Sequence, residues 1–485
     1  MRWAVLVGLV VGCVPPSVVS HEGRAVVRVP VSSPEGLARA AALGDVWTEH
    51  PRGWVDVEVP WRTLAYLPPG ATIEVPDVAQ AMEASLVPFG DGFYDAWSDL
   101  EDLHDRMEDL AALYPAAELV EIGVSEEGRP LLGLRLGDGG YDARRGTLIT
   151  GGLHAREWVA VHSALYIAER LLEDDGIDPV VTALLDEQKV LVVPVVNPDG
   201  YRFTWTTDRL WRKNRHDNGD GSFGIDLNRN FATGWGGPGS SGSTASNNYR
   251  GVAPLSEPES AAVAEFLALH PRYDRHIDLH CTGQLALHPW GHTVEAPVED
   301  DSLSAVAVAA AEAMTAVHAT SYDAGQASTR LYLASGMLID HAHGLHGAQS
   351  LLIELRDRGR FGFLLPADQL LPTAEEAYEG VWEVLSADGL QLHLSVLQEG
   401  PPTLVRATRA DGPVWLAASR EGPAEATATG LGPDLQVASP ALFGPVDPGP
   451  WGGVTFQLTP PASWAGPLYW QAFTATHRSP VLRTD

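Results

Sequence analysis

Two cysteines, Cys13 and Cys281, are all that the 485 residues contain, so no disulfide framework holds this chain together. Basic residues are scarce too: 32 lysines and arginines stand against 63 aspartates and glutamates, a formal net charge of −31. That balance argues against nucleic acid as a partner and favours a soluble, self-repelling surface. Beyond the N-terminus no apolar run is long enough to cross a bilayer, so no transmembrane helix is expected in the mature chain. From Leu64 to Asp105 there is not one Lys or Arg. The length itself predicts two or three domains.

The first residues, 1–20, read as a targeting signal. Arg2 precedes an apolar stretch from Trp3 to Val11, too short for a mature membrane helix. It ends in Val10-Val-Gly-Cys13, which resembles a bacterial lipoprotein signal with Cys13 acylated. The alternative is an ordinary secretory signal cleaved a few residues later. Both readings predict an extracytoplasmic protein, secreted or anchored to the cell envelope, in which Cys281 has no intramolecular partner.

Three regions follow. Residues 21–90 carry strand patterns at Val26–Val31, Trp54–Val59 and Ile73–Val75 and helical ones at Pro34–Leu43 and Val78–Ala84. They predict a small α+β domain ending in a linker, Leu86–Gly92. Residues 91–387 alternate strands and helices, which predicts an α/β fold with a mixed β-sheet flanked by helices. Its markers are a helix over Trp97–Leu113 and a strand over Val190–Val196 with a bulge or edge position at Pro194. A turn is expected at Asn197-Pro-Asp-Gly200, and capping boxes at Ser256-Glu-Pro-Glu259 and Thr373-Ala-Glu-Glu376 open two helices. From residue 388 to 485, short apolar runs punctuated by Pro and Gly predict a β-sandwich-like module without a readable role.

Chemistry gathers at strand ends. Thr147-Leu-Ile-Thr150 leads into Gly-Gly-Leu-His154-Ala-Arg-Glu157, and an amphipathic helical pattern follows. In open α/β sheets the C-terminal ends of strands are where ligands bind. His154 and Glu157 are close enough to share a metal ion, yet about one such spacing is expected by chance. His292-Thr-Val-Glu295 repeats the spacing without a leading strand and reads as a loop. Taken alone, the pair reads equally as a helix-start carboxylate beside a partly buried histidine. His280 closes the strand Arg275-His-Ile-Asp-Leu-His280, and two nitrogens plus one carboxylate are a set used by catalytic zinc. Asp278 is placed to orient a ligand from behind. Glu354 ends the aliphatic strand Ser350-Leu-Leu-Ile-Glu354, either as a functional base or as a partner for Arg356, Arg358 and Arg360. Arg209, Arg212, Lys213, Arg215 and Arg229 cluster near two turns, as an anion site or as a solvated charged face. Asp217-Asn-Gly-Asp-Gly221 fails the spacing of a calcium loop and reads as a turn.

These residues resemble the zinc carboxypeptidases of the pancreatic carboxypeptidase A type. The matches are His154-Ala-Arg-Glu-Trp158, Asn197-Pro-Asp-Gly-Tyr201, Leu210-Trp-Arg-Lys213, Asn228-Arg-Asn230, Asp278-Leu-His280, Tyr332-Leu-Ala-Ser-Gly336 and the run from Glu354 to Pro366. The resemblance implies one Zn2+ held by His154, Glu157 and His280. It implies Glu354 as the general base that takes a proton from the zinc-bound water and passes it to the leaving amine, and Arg212 as the group polarising the scissile carbonyl. Asn228, Arg229 and Tyr332 would grip the free C-terminal carboxylate of a peptide or protein substrate, with Arg156 as an outer contact. Ile339 aligns with the base of the side-chain pocket, and Leu287 and Ala334 with its walls, so a hydrophobic or aromatic C-terminal residue is expected. A shift of one residue would bring Asp340 there and reverse that preference. The chain departs from the pattern at Cys281-Thr-Gly283, where the pancreatic enzymes carry a serine and a tyrosine. Arg24 to Ser85 looks like the family's inhibitory propeptide, and the linker without basic residues argues against release by a trypsin-like protease; the rival is a permanent domain. Alternatives to a peptidase of this kind are a cell-wall peptide or amide hydrolase with the same metal site, and a catalytically silent surface binding protein.

Overall fold

The computed structural model describes residues 19–50, 53–137 and 145–386, and beyond them strands between residues 393 and 484. Residues 1–18 of the expected targeting signal, Cys13 among them, lie outside the described residues.

The N-terminal region forms an antiparallel sheet of β1 (Arg24–Pro30), β2 (Asp45–His50), β3 (Trp54–Pro60) and β4 (Thr72–Val75), in the order β2-β3-β1-β4. Helices Pro34–Ala41 and Val78–Ser85 accompany it. Strand periodicity separates its two faces. Val27, Val29, Val55, Val57 and Val59 form one apolar cluster with Ala40 and Leu37. Val26 and Trp47 instead join the large core of the following domain. On that second face Glu58 and Asp56 are buried charges with partners. Glu58 meets His21 Nδ1 at 2.8 Å and accepts from Trp47 Nε1 at 3.1 Å, while Arg28 bonds both Asp56 oxygens at 2.8 Å. Strand β2 had no strand pattern in its polar sequence; it forms because Trp47 has a core to enter.

His21 ties the two domains, since its Nε2 lies 3.3 Å from Asp208. Burial opposes a charge there, but hydrogen bonds and attraction from Asp208 and Glu58 outweigh it and raise His21 from 6.5 to about 9. Arg24 and Trp47 reach it only through Glu58. A raised folded-state pKa means the stabilisation is complete below pH 6.5 and is lost as pH rises through 9. Its upper bound is about 3 kcal/mol. Melting midpoints are therefore expected to fall across that window in the native chain and to lose this slope in His21→Asn.

Residues 100–386 build an eight-stranded mixed sheet from β5 (Ala117–Val124), β6 (Pro130–Leu136), β7 (Arg145–Gly151), β8 (Gln188–Val193), β9 (Arg275–Cys281), β10 (Leu285–His288), β11 (Asp323–Gln326) and β12 (Gln349–Leu355). Their order is β11-β10-β12-β9-β7-β8-β6-β5. The middle four, β12-β9-β7-β8, are parallel, so their C-terminal ends emerge at one edge. Both faces are covered, as parallel sheets require. Ile149, Val190, Val192, Ile277 and Ile353 pack into the core with helices Trp158–Asp174, Asp300–His318 and Leu370–Leu385. Leu148, Leu191 and Val193 face Val263 and Leu267 of helix Pro258–Leu269 and Leu338 and Ala342 of helix Leu338–His346.

Several local expectations are corrected. Strand β8 stops at Val193, so Pro194 is neither a bulge nor an edge residue; it follows the strand. Asn197 is no free turn but the N-cap of helix Pro198–Thr206, accepting from Gly200 N at 2.9 Å with Pro198 in the first turn. Neither capping box forms. Pro258 moves the cap from Ser256 to Glu257, and Thr373 lies inside a helix that already starts at Leu370. The helix expected from Trp97 starts at Leu100 because Asp99 caps it, accepting from Asp102 N at 3.0 Å. Beyond Ser386 the described elements are all strands, from His393–Gln398 to Leu482–Thr484, paired antiparallel.

Candidate metal centre and active site

Strand β7 delivers the chain to the edge and Gly152 turns it, at φ +64°, where a Cβ would lie 2.9 Å from Val161 and 3.1 Å from Pro194 O. His154 follows, and Glu157 sits at the start of helix Trp158–Asp174, where the helix dipole favours a carboxylate. His280 arrives from β9. Its Nδ1 is 2.8 Å from Glu157 Oε2, and His154 Nδ1 is 2.9 Å from Glu157 Oε1. The outer nitrogens face buried carboxylates: His154 Nε2 is 3.1 Å from Asp226 and His280 Nε2 2.9 Å from Asp278. Thr150 Oγ1 donates to the other Asp278 oxygen at 2.8 Å. Burial opposes ionisation of Glu157, yet the two histidines hold it well below the usual carboxylate range.

This donor set fits zinc. One donor atom from each of His154, Glu157 and His280 lies within 4.8 Å of the others, and all three residues are buried. Two imidazole nitrogens and a carboxylate oxygen are zinc ligands, and carboxylates on the far nitrogens fix each ring's tautomer and orientation.

Asp226 is the residue that motif reading left without a role. Fully buried, it also receives Arg212 at 2.9 Å and Asn228 N at 3.0 Å, and it is pushed well below its usual range by Arg212 and His154 against the effect of burial. Its only visible signal was an Asp opening the turn Asp226-Leu-Asn-Arg-Asn230. Replacing Asp226 with Asn is expected to weaken zinc binding by about 10–100-fold, read by competition with a chromogenic chelator.

Glu354 stands beside His280 on neighbouring strands in register, so both side chains share a face. The Glu354 carboxyl is raised above the usual range by burial, helped by Glu157, while His280 and Arg212 favour the ionised form. The nearby arginines are committed elsewhere: Arg356 to Glu376, and Arg358 to Asp323 at 3.2 Å and Ser321 O at 2.7 Å. A structural ion pair therefore does not account for Glu354.

His154, Glu157, His280 and Glu354 meet on one cavity of about 410 Å³, whose wall also includes Arg156, Arg212, Asn228, Arg229 and Tyr332. Arg229 is buried; its Nε donates to Gly239 O at 2.9 Å, its Nη1 to Asn228 O at 2.7 Å and its Nη2 to Tyr332 Oη at 3.3 Å. Asn228 accepts from Leu338 N at 2.9 Å and lies 3.1 Å from His280 Nε2. Arg156 donates to Trp47 O at 3.2 Å and stacks on Phe363, so the N-terminal domain engages it. The basic cluster is split. Arg212 and Arg229 reach the cavity, whereas Arg209 stacks on Trp158 and bonds Phe363 O, Lys213 bonds Thr244 O and Arg215 stacks on Phe203.

Leu331, Ala334, Met337 and Leu352 form one apolar stretch of the wall, and Val46, Trp47 and Phe363 also line it. Ile339 and Leu287 are fully buried in the cluster that contains Ala334, Met337 and Leu352. Asp340 turns away: it accepts from Gly291 N at 2.9 Å and His292 N at 3.0 Å and lies 2.7 Å from His292 Nδ1. The His292 side chain is thus occupied by Asp340. Cys281, at the wall, is a buried free thiol pushed up well above its usual range by burial.

A mixed sheet with this buried His-Glu-His set at its parallel edge defines a mononuclear metal-dependent hydrolase. The family model for zinc carboxypeptidases matches residues 103–380. Carboxypeptidase A2 of Rattus norvegicus is 40% identical over 294 residues, covering 60% of this chain and 70% of that protein. Carboxypeptidase B of Astacus astacus is 38% identical over 291 residues, 59% of this chain and 95% of the relative. The solved structure of thrombin-activatable fibrinolysis inhibitor superposes with a TM-score of 0.69 at 30% identity, over 76% of this chain and 99% of the other. That of carboxypeptidase A from Helicoverpa armigera gives 0.67 at 28%, with the same coverage. The chain belongs to the zinc carboxypeptidase family and is a metallocarboxypeptidase. Among the described residues no helix is long and apolar enough to cross a membrane.

Proposed function

We propose that this enzyme removes apolar or aromatic residues from the C-termini of peptides and proteins. The observation that carries the reading is the convergence of His154, Glu157, His280, Glu354 and Arg229 on one cavity. His154, Glu157 and His280 would hold the zinc, which when bound would supply Lewis acidity that lowers the pKa of water toward neutrality. Glu354 takes a proton from the attacking water and hands it to the departing amine, so the carboxylate is regenerated each turnover. Arg212, kept charged beside Asp226, donates to the oxygen of the scissile carbonyl as negative charge grows there. Arg229, with Asn228 and Tyr332, binds the terminal carboxylate and so restricts cleavage to chain ends. Leu331, Ala334, Met337 and Leu352, with Ile339 and Leu287 packed among them, provide an apolar seat for the last side chain.

Residues 21–90 act in this reading as an inhibitory propeptide. Ala41, Gly44, Asp45, Val46 and Trp47 form part of the cavity wall, and Trp47 O holds Arg156. The likeness to thrombin-activatable fibrinolysis inhibitor extends over more of the chain than residues 91–387 alone supply, which supports the same view. Residues 388–485 form a separate β-rich module. Arg2 and the apolar stretch after it support an extracytoplasmic location, with Cys13 as a lipid anchor point.

The test uses N-blocked peptides ending in Phe, Leu, Arg or Glu, assayed before and after limited proteolysis, with and without a chelator. Chelator-sensitive release of Phe and Leu that rises after proteolysis is expected. Release of Arg alone would sink the pocket assignment, and equal rates before and after cleavage within residues 86–92 would sink the propeptide.

A further inference from the structure

A second set of metal-type donors meets away from the catalytic ligands. Glu126 comes from the turn between β5 and β6, His216 from the segment 207–226, and Glu257 from the cap of helix Pro258–Leu269. His216 Nδ1 lies 3.4 Å from Glu126 Oε1 and 3.4 Å from Glu257 Oε2. Both separations exceed the usual N–H···O range. The nitrogen is shielded from solvent and has no hydrogen-bond partner. A tetrahedral ion with bonds of about 2.0–2.1 Å spaces its ligands about 3.3–3.4 Å apart. His216 Nδ1 thus stands from both carboxylate oxygens at the spacing of ligands around an ion rather than that of a hydrogen bond, and the three donor atoms lie within 4.8 Å of one another.

Charge argues the same way. Glu257 and Glu259 are fully buried and share one donor group, Asn214 Nδ2, at 2.7 and 3.3 Å. Glu259 also accepts from Glu126 N at 3.1 Å, and Ser256 Oγ occupies the other oxygen of Glu257 at 2.8 Å. The nearby arginines are spent: Arg129 serves Glu127 and Asp199, and Arg215 lies on aromatic rings. Burial pushes Glu257 up and Glu259 to about 7, as expected of carboxylates short of counter-charge. A divalent cation supplies that charge, and a nitrogen with two carboxylate oxygens suits zinc better than calcium or magnesium.

We propose that Glu126, His216 and Glu257 form a second divalent-metal site, filled by Zn2+, that clamps three loops together. The segment it clamps carries Arg212 and leads directly into Asp226, which orients His154. The second ion therefore steadies the backbone that supplies the catalytic centre.

The test counts metal on the full chain, stripped with chelator and titrated with Zn2+ until the His154, Glu157 and His280 site is saturated. Two zinc ions per chain are expected in the native protein, and one in His216→Ala, in Glu126→Gln and in His154→Ala. The melting midpoint should rise with added Zn2+ in His154→Ala and stay flat in the double variant His154→Ala/His216→Ala. Glu126 is partly solvent-exposed, so its variant should fold. One zinc ion in the native chain would overturn the proposal. Retention of both ions in His216→Ala and Glu126→Gln would overturn it equally.

Discussion

Glu354→Gln is expected to lower kcat by about 10²–10⁴-fold while zinc content and KM stay near the native values. Glutamine keeps the size and packing of the side chain but cannot accept a proton. Its position makes the effect specific. Glu354 ends β12 next to His280, lines the cavity, and has no ion pair with Arg356 or Arg358, which serve Glu376 and Asp323. The substitution therefore removes chemistry without breaking a structural charge pair, and the melting midpoint should not fall. Pre-steady-state peptide binding and metal analysis on the same sample separate the cases. A variant that binds peptide, holds zinc and still turns over at the native rate would show that another group carries the proton.

Arg229→Met should reduce kcat/KM for peptides with a free C-terminus by about 10²–10³-fold, mostly through KM. The guanidinium is buried, and no carboxylate among the described residues forms an ion pair with it. Its bonds go to two backbone carbonyls and the Tyr332 hydroxyl, which fix its plane but do not neutralise it. Asp226 attracts it only from beyond ion-pair distance, so a substrate carboxylate supplies a direct partner with fork geometry. The native enzyme should accordingly prefer a free acid to the same peptide amidated at its end, and Arg229→Met should lose that preference. Arg229→Lys keeps the charge but not the fork, so it should fall between the two. An unchanged acid-to-amide ratio in Arg229→Met would place substrate anchoring elsewhere.

Much of the candidate centre is readable along the chain. His280 and Glu354 stand near the ends of β9 and β12, and His154 and Glu157 follow β7 in the turn that opens the next helix. Parallel central strands bring such ends to one edge, so a one-dimensional pattern maps onto one place in space. The two-faced burial of β8 was equally readable, from its nearly continuous apolar run. Helix starts were less so. Pro258 moves its cap by one residue to Glu257, where a single fixed φ outweighs a capping motif, and Asn197, expected in a turn, caps the helix that opens at Pro198.

Only the tertiary structure decided which carboxylate each ring nitrogen meets. Asp226 reaches His154 across 72 positions of chain, and no local pattern encodes that approach. The same holds for the division of five basic residues into two that face the cavity and three that stack on rings or bond carbonyls. It holds for Asp340, which lies one residue from Ile339 yet is turned toward Gly291 and His292. Trp47 closing on Arg156, and Glu126, His216 and Glu257 converging from three loops, belong to the same class. Side-chain periodicity is a property of the local backbone and is written residue by residue. Long-range partners depend on strand order and loop path, which the packing of the whole domain selects.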